Sequence, residues 1–128
     1  MKLRIRGNSI RLRLGQSEVR ALIRDGQVRE TTTFAPGVRF GYALRVADDV
    51  PDLRAALVDR EIVVLVPRDV ARDWATSDRV GLEAEQSVGA DGQTLTLLIE
   101  KDFQCLDRDD DPADADAFPH PALTPACA

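Results

Sequence analysis

Arg4, Arg6, Arg11 and Arg13 flank Gly7-Asn8-Ser9 at alternate positions. If the chain reverses at that tripeptide, all four guanidinium groups project from one face of a strand pair. Their rigid fork of N–H donors suits a carboxylate or a phosphate. Two readings are open: an anion-binding stripe, or the solvated face of an antiparallel sheet. Other chemistry-bearing residues are sparse. His120 is the single histidine and stands in a Pro-rich stretch, where nothing would hold a Ser–His or Cys–His couple rigid. Cys105, His120 and Cys127 are zinc-ligand types, but spacings of fifteen and seven residues fit no compact zinc motif. Asp107, Asp109, Asp111, Asp114 and Asp116 offer the oxygen ligands calcium takes, without the bend glycine and closing glutamate of an EF-hand. Glu83, Glu85 and Glu100 could share a sheet face, as a carboxylate site or as plain polar surface. There is no phosphate loop, dinucleotide fingerprint, HExxH, GxSxG or CxxC pair. The sequence therefore assigns no catalytic residue, metal ligand or cofactor. The ligand-binding candidates are Arg4, Arg6, Arg11 and Arg13.

Leu3 and Ile5 share one parity and Ile10, Leu12 and Leu14 the other, so an apolar face is kept only if the chain turns or bulges at Gly7. Val19, Leu22 and Ile23 then form a helical stripe closed by Asp25-Gly26. Thr31–Phe34 and Phe40–Val46 form a hairpin about Ala35-Pro36-Gly37. Glu61–Gln86 repeats the grammar: an apolar strand Ile62–Val66, Pro67, a short helix with Asp69 able to cap and Val70 and Trp74 on one face, then Val80, Leu82 and Ala84 in alternation. Ile10 matches Ile62, Leu14 matches Val66 and Val28 matches Val80, all at an offset of 52. Residues 52–60 suit a helix or a strand turning at Asp59-Arg60, and the repeat favours the strand. Gly89–Gly92 is a hairpin loop leading to Thr94–Glu100. The expected fold is α+β, two βαββ-like halves (2–46 and 53–105) forming a small antiparallel barrel or sandwich with one short helix per half. Residues 1–106 would be one domain and 107–128 an acidic, Pro-rich mobile tail that only Phe118 could pin.

The chain has 128 residues and a net charge of −5, which is segregated. Residues 1–30 hold eight Lys/Arg against three Asp/Glu, whereas residues 61–128 hold five against fifteen. Such ends can attract one another within or between chains. Overall acidity argues against tight nucleic-acid binding, whose affinity comes from neutralising phosphates. No apolar run approaches the length that crosses a bilayer, no signal peptide is expected, and two cysteines suggest a reduced, cytoplasmic setting.

Arg6–Leu14 followed by Gln16-Ser17-Glu18-Val19 resembles a family of short bacterial proteins of unassigned function, which open with an MKIRIKGNSIRLRL-like strand pair and a QSEV helix. Ile99–Leu106 and Phe118-Pro119 are similar to that family's closing pattern. Val66-Pro67-Arg68-Asp69-Val70 with Asp78–Glu83 is similar to the repeating unit of AbrB-type swapped-hairpin regulators. That likeness implies two copies closing on each other as an internal pseudo-dimer. The expectation is a non-enzymatic binding or interaction module that self-associates and takes a small anion or a protein partner. The alternatives are an AbrB-like DNA-binding regulator using the basic N-terminal strands, and an enzyme acting on a small anionic ligand.

Overall fold

The structure, a computed structural model, describes residues 1–103 together with Asp116 and Phe118. Ten elements follow one another: β1 (Lys2–Ile5), β2 (Ser9–Leu14), α1 (Gln16–Asp25), β3 (Gln27–Ala35), β4 (Val38–Ala47), β5 (Arg54–Val58), β6 (Glu61–Pro67), α2 (Arg68–Thr76), β7 (Gly81–Ser87) and β8 (Thr94–Lys101). The order hairpin, helix, hairpin thus occurs twice. The fold is α+β, with two four-stranded sheets ordered β1-β2-β8-β7 and β3-β4-β6-β5 and no closed barrel. Each sheet therefore takes one hairpin from each half of the chain.

The hairpins are antiparallel, as the turn signals require, but the two central joins, β2 with β8 and β4 with β6, are parallel. An all-antiparallel sheet is thus corrected to a mixed one. Residues 52–60 contain β5 and turn at Asp59-Arg60, both at positive φ, 49° and 65°. The ladders also adjust one match. Leu12 lies beside Ile99 and Ile99 beside Leu82; Val64 lies beside Leu44 and Leu44 beside Val28. Val28 therefore stands in its ladder where Leu82 stands in the other, and the offset of 52 ends at the helix, because α2 is one residue shorter than α1 while the link after it, residues 77–80, is three residues longer than Gly26 alone. Each half also opens with a hairpin, so it is one strand richer than βαββ.

Strand parity explains the core. Ile10, Leu12, Leu14, Ile62, Val64, Val66, Leu97 and Ile99 alternate inward from the central strands and are buried in one cluster with Leu44. Each such aliphatic side chain contributes about 1.5–3 kcal/mol by leaving water. The helices close the cluster with Val19 and Leu22 from α1 and Ala71 and Trp74 from α2. Trp74 is fully buried, and its indole N–H donates to the Val80 carbonyl at 3.0 Å. α1 stops where Gly26 takes φ +83° and returns its N–H to Leu22 O. Asp69 does not cap α2: Pro67 stands at the cap and Asp69 falls in the first turn, near the positive end of the helix dipole. No helix among the described residues is long and apolar enough to cross a membrane.

Candidate functional site

The β1–β2 hairpin turns through Gly7 at φ +54°, with the Arg6 N–H donating to Ser9 O at 3.0 Å. Asn8 ties the turn to β8, its Nδ2 donating to Thr94 O at 2.6 Å and its carbonyl accepting from Thr96 N at 3.0 Å. This register sets Leu3 against Leu12 toward the core and, on the opposite face, Lys2 against Arg13 and Arg4 against Arg11. Burial of Leu12 thus dictates where the cations point. Lys2, Leu3, Arg4, Arg11 and Arg13 line a hollow of about 200 Å³. Arg6 does not line it; it is exposed in the turn.

Two carboxylates answer these charges. Glu100 on β8 lies between Arg13 (Nε to Oε1 2.7 Å) and Arg11 (3.4 Å), and Asp102 pairs with Lys2 at 2.9 Å. Arg4 and Arg6 make no ion pair with any described residue. Among the described residues the hollow therefore keeps an excess of positive charge, and Arg4 keeps guanidinium donors without an ion-pair partner. Partly exposed ion pairs contribute little, so an incoming anion could share or replace Glu100 at small cost. Glu83 lies diagonally from Glu100 on the neighbouring strand, while Glu100 is engaged by the arginines. The described residues contain no cluster of three His, Cys, Asp or Glu that could hold a metal. Cys105, His120, Cys127 and the aspartates from Asp107 to Asp114 lie outside the described residues. A second, wider hollow of about 510 Å³ lies on the outer face of the other sheet, between Arg29, Arg45, Val58, Glu61, Val63 and Leu65. It depends on β4 and β6 being neighbours, which alternation along the sequence does not reveal.

Polar contacts also gather at the start of α1. Gly15 brings no side-chain cap, and its N–H donates to Glu18 Oε1 at 3.0 Å. The missing cap comes from Asp116: its carbonyl accepts from Gln16 N at 2.8 Å, and its carboxylate accepts from Ser17 N at 3.0 Å and Ser17 Oγ at 2.7 Å. Two residues on, Phe118 N–H donates to Asp102 O at 2.7 Å and its ring meets Phe103 edge-on at 5.9 Å. Lys101 is 6% exposed; its ammonium donates to Ser77 O at 2.7 Å and lies 5.3 Å from the Phe118 ring centroid and 5.9 Å from that of Trp74. Desolvation holds the Lys101 ammonium below its ordinary value, partly countered by Asp78. Nearby, the amino group of Met1 pairs with Glu18 and Glu30, and the Tyr42 hydroxyl shares its single proton between Glu30 Oε2 at 2.7 Å and Met1 O at 2.9 Å. Burial, then the Glu30 carboxylate, pushes the Tyr42 phenol up to about 12. These contacts hold the hairpin and helix that carry the basic face.

No curated protein and no solved structure matches this chain. The resemblance carried by the Arg6–Leu14 strand pair and the helix after it leads to proteins of unassigned activity, and a family model agrees: the chain belongs to a family of unknown function, DUF7009, matched over residues 1–122.

Proposed function

We propose that this chain is a non-enzymatic binding module of the cytoplasm that takes a small anion on the β1–β2 face and associates with a second copy of itself. The observation that carries the reading is the convergence of Lys2, Arg4, Arg11 and Arg13 on one hollow with two carboxylates against four cations. Arg4 supplies the uncommitted fork and Arg11 the weaker of the two Glu100 contacts, so these two would do most of the anion binding. Isothermal titration with inorganic phosphate and pyrophosphate tests it. Binding that Arg4→Ala/Arg11→Ala weakens at least about tenfold supports the proposal. No heat with either anion, or equal affinity in the double variant, rejects it.

We also read the two hairpin–helix–hairpin halves as a duplicated unit closed against its own copy, with residues 1–106 as the folded domain and 107–128 as a tail. The exchange of hairpins between sheets supports this and keeps an AbrB-like DNA-binding regulator as the second reading. That reading requires duplex binding that fades steeply with salt.

A further inference from the structure

Four strands stand at sheet margins: β1 and β7 in one sheet, β3 and β5 in the other. An open strand edge is a template for another strand unless charge, irregularity or a cover blunts it. Three of the four are blunted. β1 carries Lys2 and Arg4, and β7 carries exposed Glu83 and Glu85. β5 is only five residues long and is capped at Ala55, where the Gln86 amide accepts the Ala55 N–H at 2.7 Å and donates to the Ala55 carbonyl at 2.9 Å, although Leu57 and Val58 beyond it are exposed.

Among the described residues β3 has neither charge nor cover past Glu30, and its one irregularity is confined to Phe34. Thr31, Thr32, Thr33, Phe34 and Ala35 are uncharged and exposed, and Phe34 is 70% accessible. It sits at a bulge where the ladder slips between Thr33 and Ala35. The ladder also fixes which peptide groups face outward. Val46 N–H donates to Gly26 O at 2.9 Å, so by antiparallel alternation Val28, Glu30 and Thr32 bond to β4. The peptide groups of Arg29, Thr31 and Thr33 consequently point away from it. Pairing of β4 with β6 begins only at Gly41, the partner of Thr31, so residues 32–40 extend past the sheet as a two-stranded arm. Two-stranded ribbons gain most from a third strand.

We infer that a second copy of this chain pairs with this edge, β3 against β3 and antiparallel, about a two-fold axis at Thr32. The two arms then form one four-stranded ribbon. Thr31 faces Thr33 of the second copy, and Glu30 faces Phe34 of the second copy, so no like charges oppose. Registers centred on Arg29 or Glu30 would set identical charges against each other, which disfavours them. The edge is thus self-complementary in hydrogen bonding and in charge at the Thr32 register, which is the argument for a second copy as the occupant. This inference rests on the self-association proposed above.

Light scattering on the full chain across a concentration series separates the two. Wild type should run at twice the chain mass. Thr31→Lys/Thr33→Lys, which sets lysines against lysines across the axis, should raise the dissociation constant on the order of a hundredfold. Glu83→Lys/Glu85→Lys on β7 should leave it unchanged. Circular dichroism and the emission of Trp74 verify that each variant is folded. A wild type that stays monomeric at every concentration overturns self-association and this edge together. A dimer that persists in the threonine variant, or one lost only in the β7 variant, overturns this edge alone.

Discussion

Gly15→Ala isolates the contact that ties Asp116 to α1. The Gly15 backbone sits at φ −77°, open to alanine, so the substitution introduces no strain of its own. Its effect comes from space: a Cβ there would lie 2.3 Å from Asp116 Oδ2 and 2.8 Å from its carbonyl oxygen. Asp116 must move away, and the three hydrogen bonds from Gln16 and Ser17 go with it. At an exposed site each is worth about 0.5–1 kcal/mol, so the loss is about 2 kcal/mol. Lower unfolded-chain entropy favours alanine by about 0.5 kcal/mol, and poorer capping than glycine offsets a similar amount. Asp116→Ala removes the carboxylate bonds directly and should cost nearly as much. The decisive variant is the double one. If both substitutions act through one contact, Gly15→Ala/Asp116→Ala costs about 2 kcal/mol again; independent effects would sum to about 4 kcal/mol. Urea unfolding followed by Trp74, the single tryptophan, reads these differences as midpoint shifts at constant slope. Acid adds a check. Burial pushes the Asp116 carboxyl upward, but the hydroxyl and amide of Ser17, with Arg20 and the Met1 amino group, outweigh it and hold it below 3.8. Because the folded value lies below the unfolded one, the contribution is present above about pH 4 and vanishes as pH falls through the folded value. The gap between wild type and Asp116→Ala should therefore narrow below pH 3.8. A neutral Gly15→Ala, or additive costs, would refute the reasoning.

The remaining predictions concern single groups. Tyr42 is the only tyrosine, so absorbance near 295 nm should show one phenol ionising at about 12, and Glu30→Gln should bring it down by removing the accepting carboxylate; a value near 10.0 in wild type contradicts the buried hydrogen bond. Asp59→Asn/Arg60→Gly places the preferred residues at two positive-φ sites and should stabilise by about 1 kcal/mol in the same urea assay. Any destabilisation counts against the two-residue turn.

What the sequence made legible was local. Alternation at Ile10, Leu12 and Leu14 against Arg11 and Arg13 fixes a strand and its faces, and Gly26 marks where α1 ends. The β5 strand was readable through the match of the two halves, and its turn followed. Phe118 was readable as an anchor, but it was expected to be the only one in its stretch, and Asp116 also pins that stretch by capping α1. The parallel joins were not legible, since alternation says which face is apolar but not which strand lies alongside or in what direction. Val28 was matched two residues early because offsets measured before a helix do not carry through a loop of different length. Asp116 was invisible from spacing alone, being 99 residues from Ser17. A signal was nonetheless present: α1 begins at Gly15 with no Ser, Thr, Asp or Asn to cap it, which implies a cap supplied from elsewhere. The pairing of Glu100 with Arg11 and Arg13 was hidden for the same reason as the parallel joins.

The central claim is that the face built by Lys2, Arg4, Arg11 and Arg13 accepts an anion. The most direct measurement follows the arginine Nε–H resonances of ¹⁵N-labelled protein as inorganic phosphate is added at constant ionic strength. The account predicts saturable shifts for Arg4 and Arg11, smaller ones for Arg13, and none for Arg24, whose guanidinium is taken up by Asp25. Uniform drift of every arginine signal, without saturation at Arg4 and Arg11, would contradict it.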